Sequence, residues 1–159
     1  MTKVNLDPVD CKILRFLIDN ARMPFLEIAR ECGISGAAIH QRIRKLEEAK
    51  VILGSRIIVD PKMLGFDVCA HIRITIKDPQ QLHKTVELLK EMPEIVECHF
   101  ITGNGHIMAK MYCKDNEHLM HTLFNGVLRM QGVASPETYI SLQEMFQREV
   151  DIRFVEEEQ

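Results

Sequence analysis

Between Pro24 and Arg44 the chain reads PFLEIARECGISGAAIHQRIR, a stretch compatible with few local folds. It encodes two short amphipathic helices meeting at a sharp angle across Gly33. Pro24 suits a first helical position, where an N–H would lack a partner anyway. Leu26, Ile28 and Ala29 form the apolar stripe of the first helix, and Ala29 is small where two helices must cross closely. Gly33 closes that helix in a left-handed conformation at little steric cost. Ile34 tucks under the turn, and Ser35 is a strong N-cap for the second helix. Ala38, Ile39, Ile43 and Leu46 then recur at helical spacing and face a core. Gly36, Ala37, His40, Gln41, Arg44 and Lys45 are left pointing outward. From Ser35 to Lys45 there are three basic residues and no acid. A helix entering a DNA groove needs such small and basic residues on its free face. A basic face is also often mere solvated surface, so the context of the motif has to decide.

Before this hairpin, Leu6-Asp7-Pro8-Val9-Asp10 opens another helix. Asp7 caps it, Pro8 suits its first position and Asp10 favours its positive end. Ile13, Leu14, Phe16 and Leu17 give its apolar face, to about Asn20. After Leu46, Val51 and Ile52 offer an apolar landing and Gly54 breaks the chain. Arg56-Ile57-Ile58-Val59 is β-prone and is ended by Asp60-Pro61. Three helices followed by a strand form a winged helix-turn-helix pattern.

The period then changes. Ala70, Ile72, Ile74 and Ile76 alternate with His71, Arg73, Thr75 and Lys77, as in a half-buried strand. Asp78-Pro79 caps a helix carrying Leu82, Val86 and Leu89. A strand over 95–101 runs into Thr102-Gly103-Asn104-Gly105, a tight-hairpin signal, and returns through 107–112. Asp115 caps a second helix that ends near Gly132, and Tyr139, Ile140 and Leu142 mark a last strand. The tail Val150–Val155 adds a short strand in this reading. The order β-α-β-β-α-β is the ferredoxin-like arrangement. The expected fold is α+β: residues 1–60 as the helix-turn-helix and its linker strand, residues 61–159 as a ferredoxin-like domain.

Charge agrees with that division. Residues 1–60 hold ten Lys/Arg against eight Asp/Glu, a balance of +2; residues 61–159 hold ten against fifteen, a balance of −5. Phosphate contacts are therefore expected from the N-terminal part, while the acidic remainder discourages nonspecific binding. The five cysteines, at 11, 32, 69, 98 and 113, form an odd, widely spaced set without a CxxC pair. They read as small buried hydrophobes in a reducing compartment, not as disulfides or a zinc site. Without a signal peptide or an apolar run long enough to span a bilayer, a cytoplasmic protein with no membrane partner is expected.

The stretches LDPVDCKILRFLIDNAR, LEIARECGIS and IRKLEEAKVILGSRIIVDPKMLG together resemble the Lrp/AsnC (feast/famine) transcriptional regulators. VECHFITGNGH and GVASPETYISL are similar to the C-terminal half of that family, and the likeness runs from Leu6 to Leu142. It implies a regulator associated with the nucleoid, acting on double-stranded DNA. It also implies a dimer formed through the C-terminal sheets and assembled further into an octamer. Ser35, Gly36, Ala37, His40, Gln41, Arg44 and Lys45 become the expected DNA contacts. Arg42 lies nearer the core, where a pair with Asp10 or Glu47 competes with a DNA role. The family also senses small molecules, commonly amino acids. The matching residues here are Thr102, Gly103, Asn104 and His106 of the hairpin, Asn116 at the next helix start, and Thr138, Tyr139, Ile140 and Ser141 on the last strand. Hydroxyls and turn N–H groups suit a carboxylate, but His106 stands where family members commonly carry an acid, so the effector is left open.

No cofactor, metal site or catalytic group is expected. His118 and His121 sit three apart on a helix, a spacing that permits shared metal ligation, yet they read as solvated histidines. Cys98 and His99 are neighbours on a strand, so their side chains point to opposite faces. The rival readings are a sirohaem-type decarboxylase of similar architecture and an effector-independent chromosome-architectural protein.

Overall fold

The computed structural model describes residues 4–103 and 106–152. The chain divides into two units: Met1–Ile58 with Phe146–Gln159, and Val59–Met145.

The first unit is built on three helices, α1 (Pro8–Asp19), α2 (Phe25–Cys32) and α3 (Gly36–Glu48). Their ends follow the capping chemistry expected. Asp7 accepts from the Asp10 N–H at 2.8 Å, while Asp10 accepts from the Asp7 N–H at 3.3 Å, a reciprocal box at the start of α1. Pro24 is the N-cap of α2, one place before its expected position. Gly33 ends α2 with φ +66°, a conformation costly for any residue with a Cβ. The Ser35 hydroxyl accepts from the Ala38 N–H at 3.2 Å and starts α3. Ile13, Ile28, Ile39, Ile43 and Leu46 fill the core, with Ile34, Val51 and Ile52 packed around it.

Three expectations fail in or next to this unit. Leu26 is 67% exposed rather than part of the buried stripe, which Ile28 and Ala29 supply. α2 has only eight residues, so two buried positions complete its inner face. No strand forms at 56–59. Leu53, Ile57, Ile58 and Val59 are exposed there. The tail also differs: Val150–Ile152 form no strand, and Ile152 packs against the helical core instead. Residues 153–155 of the expected strand lie outside the described residues.

The second unit is the ferredoxin-like sandwich. β1 (Val68–Ile76), β2 (Ile95–Phe100), β3 (Ile107–Cys113) and β4 (Val133–Ser141) form one antiparallel sheet in the order β2-β3-β1-β4. One face is covered by α4 (Leu82–Lys90) and by α5 (Asn116–His121), which continues through a π turn and a 3₁₀ turn to Arg129. The alternation read in the sequence is the cause. Ala70, Ile72, Ile74 and Ile76 of β1, with Ile107, Ala109, Met111 and Cys113 of β3, point to the helices and are buried with Leu89, Leu119 and Val127. Burying each large aliphatic side chain is worth about 1.5–3 kcal/mol. β4 begins directly after Gly132 and is longer than its three marker residues suggested.

His118 is not a solvated histidine. Its Nδ1 accepts from the Lys114 N–H at 3.2 Å, so in the neutral ring the proton sits on Nε2, 3.0 Å from a Glu94 carboxylate oxygen. Glu94 also accepts the Tyr112 N–H through its carbonyl at 2.9 Å. The imidazole thus ties the start of α5 to the loop before β2. Among the described residues no three His, Cys, Asp or Glu groups come together to hold a metal.

Candidate nucleic-acid interface and effector region

α3 presents two faces of different chemistry. Ile39, Ile43 and Leu46 are buried, while Ala37, His40, Gln41, Arg44 and Lys45 are exposed and Gly36 is half-buried. Gly36 has a steric reason: a methyl there would meet the end of the Leu26 side chain at 2.9 Å. The exposed Leu26 therefore lies beside the first turn of α3, on the face that carries the candidate contacts. His40 packs edge-on against Phe25, with ring centroids 5.4 Å apart. That contact limits its rotamers without hiding it.

Arg42 is the cation of α3 that turns inward. Its Nη1 donates to Asp7 Oδ2 at 2.6 Å and to Asp10 Oδ1 at 2.7 Å. Asp10 was one of the two partners considered and Glu47 the other; the observed pair is Asp10 with Asp7. The Asp10 side chain is only 3% exposed, against 30% for Arg42 and 46% for Asp7. Burial pushes the Asp7 carboxyl up, but the Arg42 hydrogen bond and charge and the Asp10 N–H outweigh it and hold it below its ordinary 3.8. The same ring that caps α1 thus anchors α3.

The nine expected effector residues do not form one group within a chain. Register sets their places: Ile74 faces Ile107 and Cys69 faces Tyr112 on β3, while Cys69 faces Ser141 on β4. Thr102, Gly103 and His106 therefore sit at the Ile74 end of the sheet, and Asn116 and Ser141 at the Cys69 end. Five residues of strand separate those ends, about 17 Å at 3.3–3.4 Å each. Thr138, Tyr139 and Ile140 lie between, opposite Ile72, His71 and Ala70. Asn104 lies outside the described residues, as does Gly105 of the expected tight turn. His106 is partly committed: its Nδ1 accepts from the Ile76 N–H at 3.0 Å, leaving Nε2 for any ligand.

Around Ser141, the Cys69 end holds residues that were not among the expected effector contacts. Phe66, Asp67, Cys69, Tyr112 and Ser141 border a hollow of about 140 Å³. Lys110 stands beside it, 3.0 Å from Glu144 and 5.3 Å from the centre of the Tyr112 ring. Burial lowers the Lys110 pKa, but hydrogen bonds to Glu144 and Tyr112 more than offset this, so the ammonium is held charged. Lys110 and Tyr112 lie on the open face of β3, and strand pairing sets Tyr112 opposite Cys69.

A family model of the AsnC-type helix-turn-helix domain matches residues 6–47, and one of the Lrp/AsnC ligand binding domain matches residues 67–151. The regulatory protein AsnC of Haemophilus influenzae is 34% identical over 146 residues, covering 92% of this chain and 97% of that protein. The chain belongs to the Lrp/AsnC family. It is a DNA-binding transcriptional regulator with a ligand-binding domain. The HTH-type transcriptional regulator Ptr1 of Methanocaldococcus jannaschii is 42% identical over 114 residues, 72% of this chain and 76% of its own length. The Escherichia coli AsnC structure superposes with a TM-score of 0.87 at 34% identity, over 92% of this Lrp/AsnC chain and 99% of that one. A Neisseria meningitidis regulator solved as an L-Met complex shares the fold, with a TM-score of 0.89 at 22% identity over 95% and 99% of the two chains. No helix among the described residues of this Lrp/AsnC protein is long and apolar enough to cross a membrane.

Proposed function

We propose that this regulator reads operator DNA through the outward face of α3, presented twice by a symmetric dimer, and that an amino acid bound between subunits modulates it. The observation that carries the DNA reading is the sorting of cations on α3. Arg42 is held by two carboxylates, whereas Arg44 and Lys45 stand exposed beside Ser35, Gly36, Ala37, His40 and Gln41. Free cations bind phosphates; small residues at the first turn let the helix approach base edges. The functional division is residues 1–60 for DNA and 61–159 for effector and assembly, with Ile152 of the tail packed on the helical core. The decarboxylase reading is set aside because the relatives are named as regulatory proteins.

Selection from random duplexes followed by footprinting tests the DNA part. Two half-sites centred about 10 base pairs apart are expected. Enrichment no better than random DNA at physiological salt would leave the architectural reading in its place.

The effector part rests on the distance between the two residue groups. A ligand of amino acid size does not bridge about 17 Å, so the hairpin group and the Asn116–Ser141 group serve one site only if two copies meet there. A dimer assembling to an octamer supplies such meetings, and the L-Met complex of the Neisseria meningitidis regulator makes an amino acid the first class to try. Calorimetry against the twenty amino acids should give heat with at least one. Silence with all of them removes this effector class.

A further inference from the structure

The two edges of the ferredoxin-like sheet are guarded differently. β4 carries Pro136, which offers no N–H to an added strand. β2 has neither Pro nor Lys, and it leaves Val96 51% and Phe100 68% exposed. Its backbone is ready to pair. The Ile101 N–H points inward to the His106 carbonyl, so by alternation those of Phe100 and Cys98 point outward.

The residues along this edge complement themselves. Two copies of β2 set antiparallel about a twofold axis at Cys98 bring Glu97 opposite His99 of the second copy, and Val96 opposite Phe100 of the second copy. A carboxylate then accepts from an imidazole N–H, and an aromatic ring meets a β-branched side chain, both favourable cross-strand pairs. Glu97 and His99 share the open face, where their side chains already approach to 3.9 Å. Phe100 and Cys98 share the helix side, opposite Ile107 and Ala109. On that side Val86 and Lys90 of α4 and Ile95, Val96 and Cys98 of β2 border a hollow of about 240 Å³. Phe100 of the second copy, opposite Val96, falls over this hollow. Centring the axis on His99 instead sets Glu97 against Ile101 and matches neither charge nor shape.

We propose that β2 is a self-pairing edge: two copies join antiparallel about Cys98, and each Phe100 enters the Val86–Val96 hollow of the other. The contact is isologous, as a closed assembly requires. It names a surface for the self-assembly inferred above and rests on that reading.

Light scattering on the full-length protein tests it, with Phe100→Asp, Glu97→Lys and Glu97→Lys/His99→Glu beside the parent. Both single variants should at least halve the mass of the assembly, and the double variant should restore it. A short bismaleimide should link Cys98 to Cys98 of a second copy in the parent and not in Phe100→Asp, as peptide mass spectrometry reads directly. Phe100 is exposed, so an unchanged melting curve is expected for its variant. A parent that assembles while both single variants keep the full mass removes this surface and leaves self-assembly standing. A parent that is monomeric at every concentration removes both.

Discussion

Replacing Arg42 by alanine is expected to destabilise the helical unit by about 2–4 kcal/mol. Removing one partner of a buried ion pair costs about 3–5 kcal/mol, because the remaining charge is stranded. Asp10 is such a charge, at 2% exposure. The part-exposed Arg42 and Asp7 are screened by water, which brings the figure down. For a unit of this size the melting midpoint should fall by roughly 10–20 °C, as circular dichroism or calorimetry of the full chain would record. The effect should depend on pH with a definite sign. The Asp7 carboxyl is held below 3.8 in the fold, so its contribution is present above that value and is lost as pH falls through the lowered one. The gap in melting point between parent and variant should be full above about pH 5 and shrink in stronger acid. A gap independent of pH would show that the carboxylates are not what Arg42 holds.

Arg44→Ala is expected to leave the melting curve unchanged and to weaken binding to a selected operator by roughly 10- to 100-fold, since in the proposed dimer both copies of α3 lose a contact. The salt dependence separates this from a folding effect. Each neutralised phosphate contributes a slope of about −0.9 in log K against log salt. The variant's slope should therefore be shallower by about two. Arg42→Ala, measured well below its melting point, should keep the parental slope, because its guanidinium is already held by Asp7 and Asp10. Equal slopes for parent and Arg44→Ala would take Arg44 off the phosphates.

Much of the fold was legible because its determinants are local. Asp7, Ser35 and Asp115 cap helices with their own side chains a few residues away, and Gly33 supplies a conformation other residues avoid. Strict alternation identified β1 and the hairpin signal identified β3, and the inner faces of both are apolar. Leu26 was misplaced because periodicity marks a stripe without saying how much of it a short helix buries. The stretch at 56–59 was read as a strand from side-chain preference, but a strand also needs a neighbour for its backbone groups. For Arg42, helical spacing pointed inward yet left two acids open, since choosing between them depends on where α1 crosses α3.

The seven candidate DNA contacts were legible together because six lie in α3 and Ser35 caps it. The nine effector residues come from a hairpin, a helix start and a strand, and adjacency in such a set depends on register. By itself the sequence determined the three N-terminal helices with their caps, the alternating apolar face of β1, and that a basic helix follows a glycine turn. Tertiary structure alone decided that Arg42 is tied to Asp7 and Asp10, that His118 is bonded on both nitrogens, and that the effector residues stand at opposite ends of a sheet. The physical reason is range: capping and periodicity act within a few residues, whereas ion pairs and strand register join groups whose separation along the chain carries no information about their distance in space.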